Sequence, residues 1–413
     1  MRDVSADGRL PVDEARRSIF LAVRPLAPIE LPLAEAPGCV VAADVTTEYD
    51  IPPFSSAAAD GAAVRAADVV SAGPDSPVLL RVAGWSRPGR PPEATVGWGE
   101  AVLCAAGAPL PAGADCVAAG RAVGIEGSSV RVNLPVEPGA NVRPAGEDLR
   151  AGSVLAPAGR RLTGAELGIL ATAGFGTVLA HPKVRVGVLS LGDLVEPGRP
   201  TGFGQIRDAN SYLLLGTLRE LGAVPYRIGI VRDVENELRE TLASNLLRAD
   251  AIVCSGLVTT RNGEGGLPTL LAGLGDVRTH RVAMEPGGTV VFGLVDGRPF
   301  FSLPPEPLGA SIAFEVLARP AILKMMGRRD VTRPEVTAVL DEGVPGEEGT
   351  TVFVPASVGH RDGAWHVRPL GPPSPSRLGA AARGNGLLVV PPERTSIPAG
   401  EHARVQIFRS LER

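Results

Sequence analysis

Between residues 182 and 327, extended apolar runs alternate with helical patterns, and no other feature limits the possible folds as strongly. Val184 to Leu189 reads as a strand, Asn210 to Leu221 as an amphipathic helix stopped by Gly222, and Val224 to Val231 as extended. Glu235 to Leu247 follows as a helix with Leu238, Leu242 and Leu246 on one face, and Ala251 to Cys254 as a short buried strand. A helix is predicted over Leu267 to Leu274, then a hairpin of Thr289 to Leu294 and Pro299 to Leu303 across Asp296-Gly297, then a helix from Pro307 to about Met326. Such alternation predicts a three-layer α/β domain with a mainly parallel sheet.

A chain of 413 residues exceeds what one hydrophobic core organises, so further domains are expected. Val12 to Pro25 carries Ala15, Ile19, Phe20 and Val23 at helical spacing. Leu31 to Arg143 breaks into short β-like runs punctuated by Pro and Gly. Thr163 to Ala173 reads as a helix, because Thr163 followed by Glu166 is a capping-box signature. From Arg328 onward, Val336 to Val339, Trp365 to Val367 and Ala403 to Val405 suggest a separate small β domain.

Charge and composition remove several function classes. The formal net charge is −4 with no block of like charge, which speaks against a nucleic-acid groove or a membrane-surface patch. Lys183 and Lys324 are the only lysines. Cys39, Cys104, Cys116 and Cys254 lack C-x-x-C spacing and sit in apolar contexts that suit buried free thiols. The histidines (181, 280, 360, 366 and 402) are scattered, giving neither a metal pair nor a catalytic triad. Trp85, Trp98 and Trp365 are too far apart to form a stacking platform. The opening residues carry acids and no apolar core, so a cytoplasmic location is expected. Leu167 to Ala180, the longest apolar stretch, is too short to insert into a membrane.

No G-x-x-x-x-G-K-[ST] and no strand-flanked G-x-G-x-x-G occurs. The α/β region offers instead small-residue loops after its strands: Ser190-Leu191-Gly192-Asp193, Ser255-Gly256-Leu257 and Met284-Glu285-Pro286-Gly287-Gly288. In open α/β sheets that edge binds ligands. The same residues serve equally well to make tight turns, and spacing alone leaves both readings open.

Four segments resemble signatures of the MoeA/gephyrin family. Pro53-Phe54-Ser55-Ser56-Ala57-Ala58-Ala59-Asp60-Gly61-Ala62-Ala63-Val64-Arg65 is similar to P-x-F-D-N-S-A-M-D-G-Y-A-V-R, and Gly107-Ala108-Pro109-Leu110-Pro111 to the T-G-A-P-x-P segment. Asn141 to Asp148 resembles N-[IV]-R-x-x-G-E-D, and Gly204 to Asn210 resembles G-x-I-x-D-[ST]-N. The matches run in family order along most of the chain.

The resemblance implies a multidomain α/β plus β protein. It would comprise a β-rich N-terminal lobe, a three-layer MogA-like molybdopterin-binding α/β domain and a C-terminal β domain, divided as residues 1–30 with 144–181, 31–143, 182–327 and 328–413. It also implies a homodimer that inserts molybdate into adenylylated molybdopterin, releasing AMP, with Mg²⁺ assisting. Carried over position by position, Asp60, Asp148 and Asp208 correspond to the family's catalytic acids. Ser190, Gly192, Asp193, Asn210, Ser255, Gly256, Pro286 and Gly287 correspond to the residues that hold molybdopterin, and no metal ligands are assigned. From the residues alone, Asp60-Gly61 reads as a turn and Asp208 as a helix-capping acid.

Other family positions are substituted. The Thr before G-A-P is Ala106, Glu of the S-T-G-D-E-L loop is Leu194, and an acid of S-G-G-V-S-x-G-D-x-D is Asn262. K-P-G-K-P becomes Glu285-Pro286-Gly287-Gly288-Thr289, and L-P-G-N-P-V-S becomes Leu303-Pro304-Pro305-Glu306-Pro307-Leu308-Gly309. A carboxylate ~4 Å from a phosphate costs about 4 kcal/mol at an effective dielectric of about 20. Glu285 and Glu306 therefore oppose an anion site, while Arg261 could restore one positive charge. Two function classes follow. One is a molybdopterin molybdenumtransferase with altered chemistry. The other is a non-catalytic gephyrin-like dimeric scaffold holding a partner peptide, for example of a membrane or cell-division protein, in the cleft between the α/β and C-terminal domains.

Overall fold

The computed structural model describes residues 8–232, 234–256, 275–372 and 374–408. They form two compact units, one of residues up to 31, 38–42 and from 179 onward, the other of 32–37 and 43–178. The predicted helix over Leu267 to Leu274, together with Leu257, Arg261 and Asn262, lies outside the described residues.

The larger unit is built on a six-stranded sheet. Its strands are β1 (Arg185–Leu191), β2 (Val224–Val231), β3 (Ala251–Ser255), β4 (Gly275–Arg281), β5 (Thr289–Val295) and β6 (Arg298–Leu303), in spatial order β2-β1-β3-β6-β5-β4. The first four in that order are parallel, and β5 and β4 add antiparallel. The β5–β6 turn is the expected one: Asp296 and Gly297 both take positive φ, 48° and 74°, as a two-residue hairpin requires.

Strand alternation sends side chains to two cores. Val186, Val188, Val253 and Phe301 pack with Leu214 and Leu218 of helix Asn210–Leu221. Leu189, Ile252 and Phe300 pack with Leu238, Leu242 and Leu246 of helix Glu235–Leu246. With helix α1 (Val12–Ala22) counted first, these are α2 and α3. Helices on both faces give the three layers that the alternation predicts.

The long helix expected over Pro307 to Met326 is interrupted. It runs as α4 (Pro307–Ala313), one wider π segment over Phe314–Ala318, and α5 (Arg319–Met325). Pro320 has no N–H to offer the carbonyl four residues before it, Val316. That carbonyl instead accepts Arg16 Nε of α1 at 3.2 Å. One turn further along α1, Lys324 Nζ donates to Phe20 O at 2.7 Å and lies 4.2 Å from the Phe20 ring centre.

From Glu335 the chain forms a closed barrel: Thr351–Arg361, Ala364–Pro369, Glu335–Leu340, His402–Ile407 and Gly386–Val390, the last pairing back onto the first. Val354, Val367, Leu388 and Val405 fill it.

The smaller unit carries a second six-stranded sheet: Cys116–Ala119, Gly61–Val64, Glu100–Cys104, Val78–Ser86, Ser129–Val132 and Val123–Glu126 in spatial order. Its helix Gly164–Thr172 begins with the predicted capping box between Thr163 and Glu166. The Thr163 hydroxyl, ahead of Arg160, holds the Glu166 carboxyl down at about 2 against the effect of burial.

All four cysteines are buried thiols outside any disulfide. Burial pushes Cys104 up to about 11 and Cys116 and Cys254 up to about 12. Since the thiolate is the reactive form, the native protein at pH 8 should show almost no reaction with a disulfide reagent, and four thiols should react after unfolding in guanidinium.

Candidate functional site

The order in which the chain lays down its strands locates the ligand edge. From β1 the chain goes to β2 on one side and then crosses to β3 on the other. The carboxyl ends of β1 and β3 therefore diverge, which is where open α/β sheets bind ligands. Ser190 and Ser255 stand opposite each other there, in register, and both are buried.

A buried polar network fills this point. Asp208, 1 % exposed, accepts Ser190 Oγ at 2.8 Å and the Ser211 backbone N–H at 3.1 Å on Oδ1. Its Oδ2 accepts the Ser211 hydroxyl and Arg227 Nη2, the latter at 2.9 Å. Arg227, on β2, places Nη1 2.8 Å from Glu196 Oε1. Burial alone would raise the Asp208 pKa, but the hydrogen bonds from Ser211, Arg227 and Ser190 outweigh it and hold the carboxyl below its ordinary value. The helix-capping reading of Asp208 is thus met by the Ser211 N–H, with more besides.

Asn210 opens α2 beside this network. Its Nδ2 donates to Ser255 Oγ at 2.5 Å and to Pro305 O at 2.8 Å. Its Oδ1 is buried and meets no hydrogen-bond donor among the described residues. Such a group is costly unless a ligand or an ordered water supplies the donor.

The glycines of these loops have distinct reasons. Gly256 takes φ +105°, and a Cβ there would lie 2.6 Å from Leu191 O. Gly287, also at φ +105°, would bring a Cβ within 2.8 Å of Gly309 O. Gly192 takes φ +122° into open space, so it serves conformation alone. Pro286 and Gly287 are buried, whereas Asp193 is exposed. The first N–H groups of α4 are already taken, since Leu308 and Gly309 both donate to Pro375 O. Burial raises the Glu285 carboxyl, and the charges of Glu347 and Glu306 add to this, with Arg9 opposing.

Asp60 and Asp148 belong to the smaller unit, where three signature segments converge. Asp60 Oδ1 accepts the Ala106 N–H at 2.8 Å, and Leu110 N donates to Ser55 O at 2.8 Å. Val142 and Arg143 pair with Ala57 and Ser56, and Asp148 N donates to Ile51 O at 3.0 Å. Both acids are exposed. Asp60-Gly61 is not the simple turn that its residues suggest. Gly61 opens a strand so close to its neighbour that a Cβ would sit 2.1 Å from Ala118 O.

Residues 10–174 match the MoeA N-terminal region (domain I and II), 187–324 a probable molybdopterin binding domain, and 337–408 the MoeA C-terminal region (domain IV). The chain is 36% identical over 414 residues to molybdopterin molybdenumtransferase 1 of Mycobacterium tuberculosis, covering 94% of this chain and 97% of that one. It is 34% identical over 400 residues to molybdopterin molybdenumtransferase 2 of the same organism, covering 95% and 98%. The chain belongs to the MoeA family. Among solved structures, the molybdopterin biosynthesis MoeA protein of Pyrococcus horikosii superposes with a TM-score of 0.80 at 28% identity, covering 97% of this chain and all of that one.

Mg²⁺, which the family resemblance implies, does not fit at Asp208. A carboxylate offers about four lone-pair positions, and all four here accept protein donors. No cluster of three or more His, Cys, Asp or Glu able to hold a metal ion occurs among the described residues. Sequence reasoning missed Arg227, Glu196 and Ser211. One signal was present: an arginine inside an otherwise apolar strand, in a domain with an acid at the next ligand-edge loop.

Because Asp208 is held below its ordinary pKa, its contribution to stability is complete above the unfolded value of ~3.9 and disappears as pH falls through the folded value. Asp208→Asn should therefore lower stability at pH 7 by about 3 kcal/mol. In urea unfolding, the difference from the parent should shrink steadily below pH 4.

Proposed function

We propose that this MoeA-family chain is a molybdopterin molybdenumtransferase, inserting molybdate into adenylylated molybdopterin and releasing AMP. The observation that carries the reading is Asn210: a buried amide oxygen lacking a donor, at the point where β1 and β3 diverge. A pterin presents N–H groups that would satisfy it. In this reading Ser190, Gly192, Asp193, Ser255, Gly256, Pro286 and Gly287 line the pterin and phosphate positions. Asp60 and Asp148, being exposed, are the acids available to the reaction. Asp208 acts from beneath, holding the Ser190 and Ser211 hydroxyls. Mg²⁺ enters with the substrate phosphates, where it is ordinarily held. The chain works as a cytoplasmic homodimer, and its four-part division into residues 1–30 with 144–181, 31–143, 182–327 and 328–413 belongs to the same proposal. Turnover is weaker than in family members with lysines where Glu285 and Gly288 stand, because Glu285 opposes an anion.

A second reading has its own observation. A cleft of about 350 Å³ opens between α2, α4 and the barrel. Leu213, Ile312, Leu387 and Phe408 line it, and Glu315 and Arg333 pair in its wall at 2.7 Å. It would suit a short amphipathic peptide of a partner protein, as in a gephyrin-like scaffold.

The deciding experiment titrates the purified chain calorimetrically with adenylylated molybdopterin and Mg²⁺, then adds molybdate and measures AMP. Micromolar or tighter binding with AMP release is expected, and Asn210→Leu should weaken binding by about tenfold or more, as loss of a buried hydrogen bond does. A folded dimer that neither binds nor releases AMP would leave the scaffold reading in its place.

A further inference from the structure

We propose that Arg227 occupies the position a divalent cation would take beside Asp208, so that this site carries its cation as part of the chain. The inference rests on the reading of this edge as the substrate site for its meaning, and on geometry for its content. Every acceptor position of Asp208 is filled, and Oδ2 faces Arg227 Nη2 at 2.9 Å. Mg²⁺ needs oxygen ligands at about 2.0–2.1 Å in near-octahedral array, so it could reach Asp208 only by expelling the guanidinium or a donor of Ser190 or Ser211.

The guanidinium also does what a bridging metal would do. One arm meets Asp208 and the other meets Glu196 at 2.8 Å. These carboxylates stand at the two ends of the segment 196–208, just outside the short parallel ladder of Leu194–Val195 with Ile206–Arg207. Phe203, within that segment, is fully exposed. Arg227 thus staples both ends of the segment to β2, and Tyr212 lies under its face at 5.3 Å. An arginine stays charged at any working pH, and its planar fork suits two carboxylates at once. A lysine would keep the charge and lose one arm.

Asp208 is accordingly a positioning residue. It orients Ser190 and Ser211, and through the start of α2 it fixes Asn210, without ligating metal. The charge balance at this edge is then independent of free Mg²⁺.

The test counts bound Mn²⁺, a paramagnetic probe for the Mg²⁺ class, by electron paramagnetic resonance on the full chain with no pterin present. The outcome does not depend on turnover, so it can fail while the transferase reading stands, and the reverse. Wild type and Asp208→Asn should bind Mn²⁺ alike. Arg227→Gln should gain one site, ~10–100-fold tighter than any in the wild type, the range over which groups contacting a metal ligand tune affinity. Adding Asp208→Asn to that variant should remove the new site. A wild-type site that Asp208→Asn abolishes overturns the proposal, as does an Arg227→Gln protein that gains nothing. Should Asp208→Asn fail to fold, the wild type and Arg227→Gln decide the matter alone. Chymotrypsin cleavage after the exposed Phe203 should be faster in both Arg227→Gln and Arg227→Lys, and unchanged cleavage in either would overturn the stapling role.

Discussion

Two parallel strands that share a register and then part company organise the larger unit. β1 and β3 pair from Val186 with Ala251 through Ser190 with Ser255, and the strands that complete the sheet lie on opposite sides of this pair, β2 beside β1 and β6 beside β3. Backbone ends and the start of α2 meet where this pairing ends, and their buried polar groups need partners. Ser190, Asp208, Ser211, Asn210 and Ser255 supply them, and each restricts its neighbour. Burial of this kind strengthens every electrostatic contact within the network. One missing donor, at Asn210 Oδ1, is therefore a strong statement about what the edge is shaped to receive.

The smaller unit solves a different problem. Its signature segments are far apart in sequence yet short in structure, two-residue strands and bends around residues 51–60, 105–111 and 141–149. Backbone hydrogen bonds hold them together, and these do not depend on side-chain identity. That explains how Ala106 can stand where the family has threonine while the Asp60 carboxylate still receives its N–H. The scaffold tolerates drift in its side chains so long as Gly61 lets the strands approach.

The layers of the α/β domain were legible because period and punctuation agreed: Leu238, Leu242 and Leu246 at helical spacing, Gly222 at a helix end, Asp296-Gly297 in a hairpin. The barrel closure was not legible, since no local pattern tells a strand that its last partner is its first. Nor was the π segment, where a single Pro320 competes with an otherwise continuous helical pattern. At the site, the loops were found from strand order and the motif match, whereas Arg227 was hidden by distance. Its partners lie 19 and 31 residues away, and a charge in a strand reads as an edge residue until the fold shows what lies beside it.

The meeting of Arg16 with Val316 has a wider meaning for how this protein can change over time. A proline in the long helix leaves one carbonyl without its usual partner, and a side chain from a helix 300 residues earlier supplies the donor. Lys324 returns the favour one turn further along that helix. The two helices are thus keyed to each other at two points one turn apart on α1, in opposite directions, like a mortise with two pins. Sliding one helix by a single residue would misalign both pins at once. Insertions between them are free to accumulate in the intervening loops, while the helices themselves are locked in phase and can only drift together.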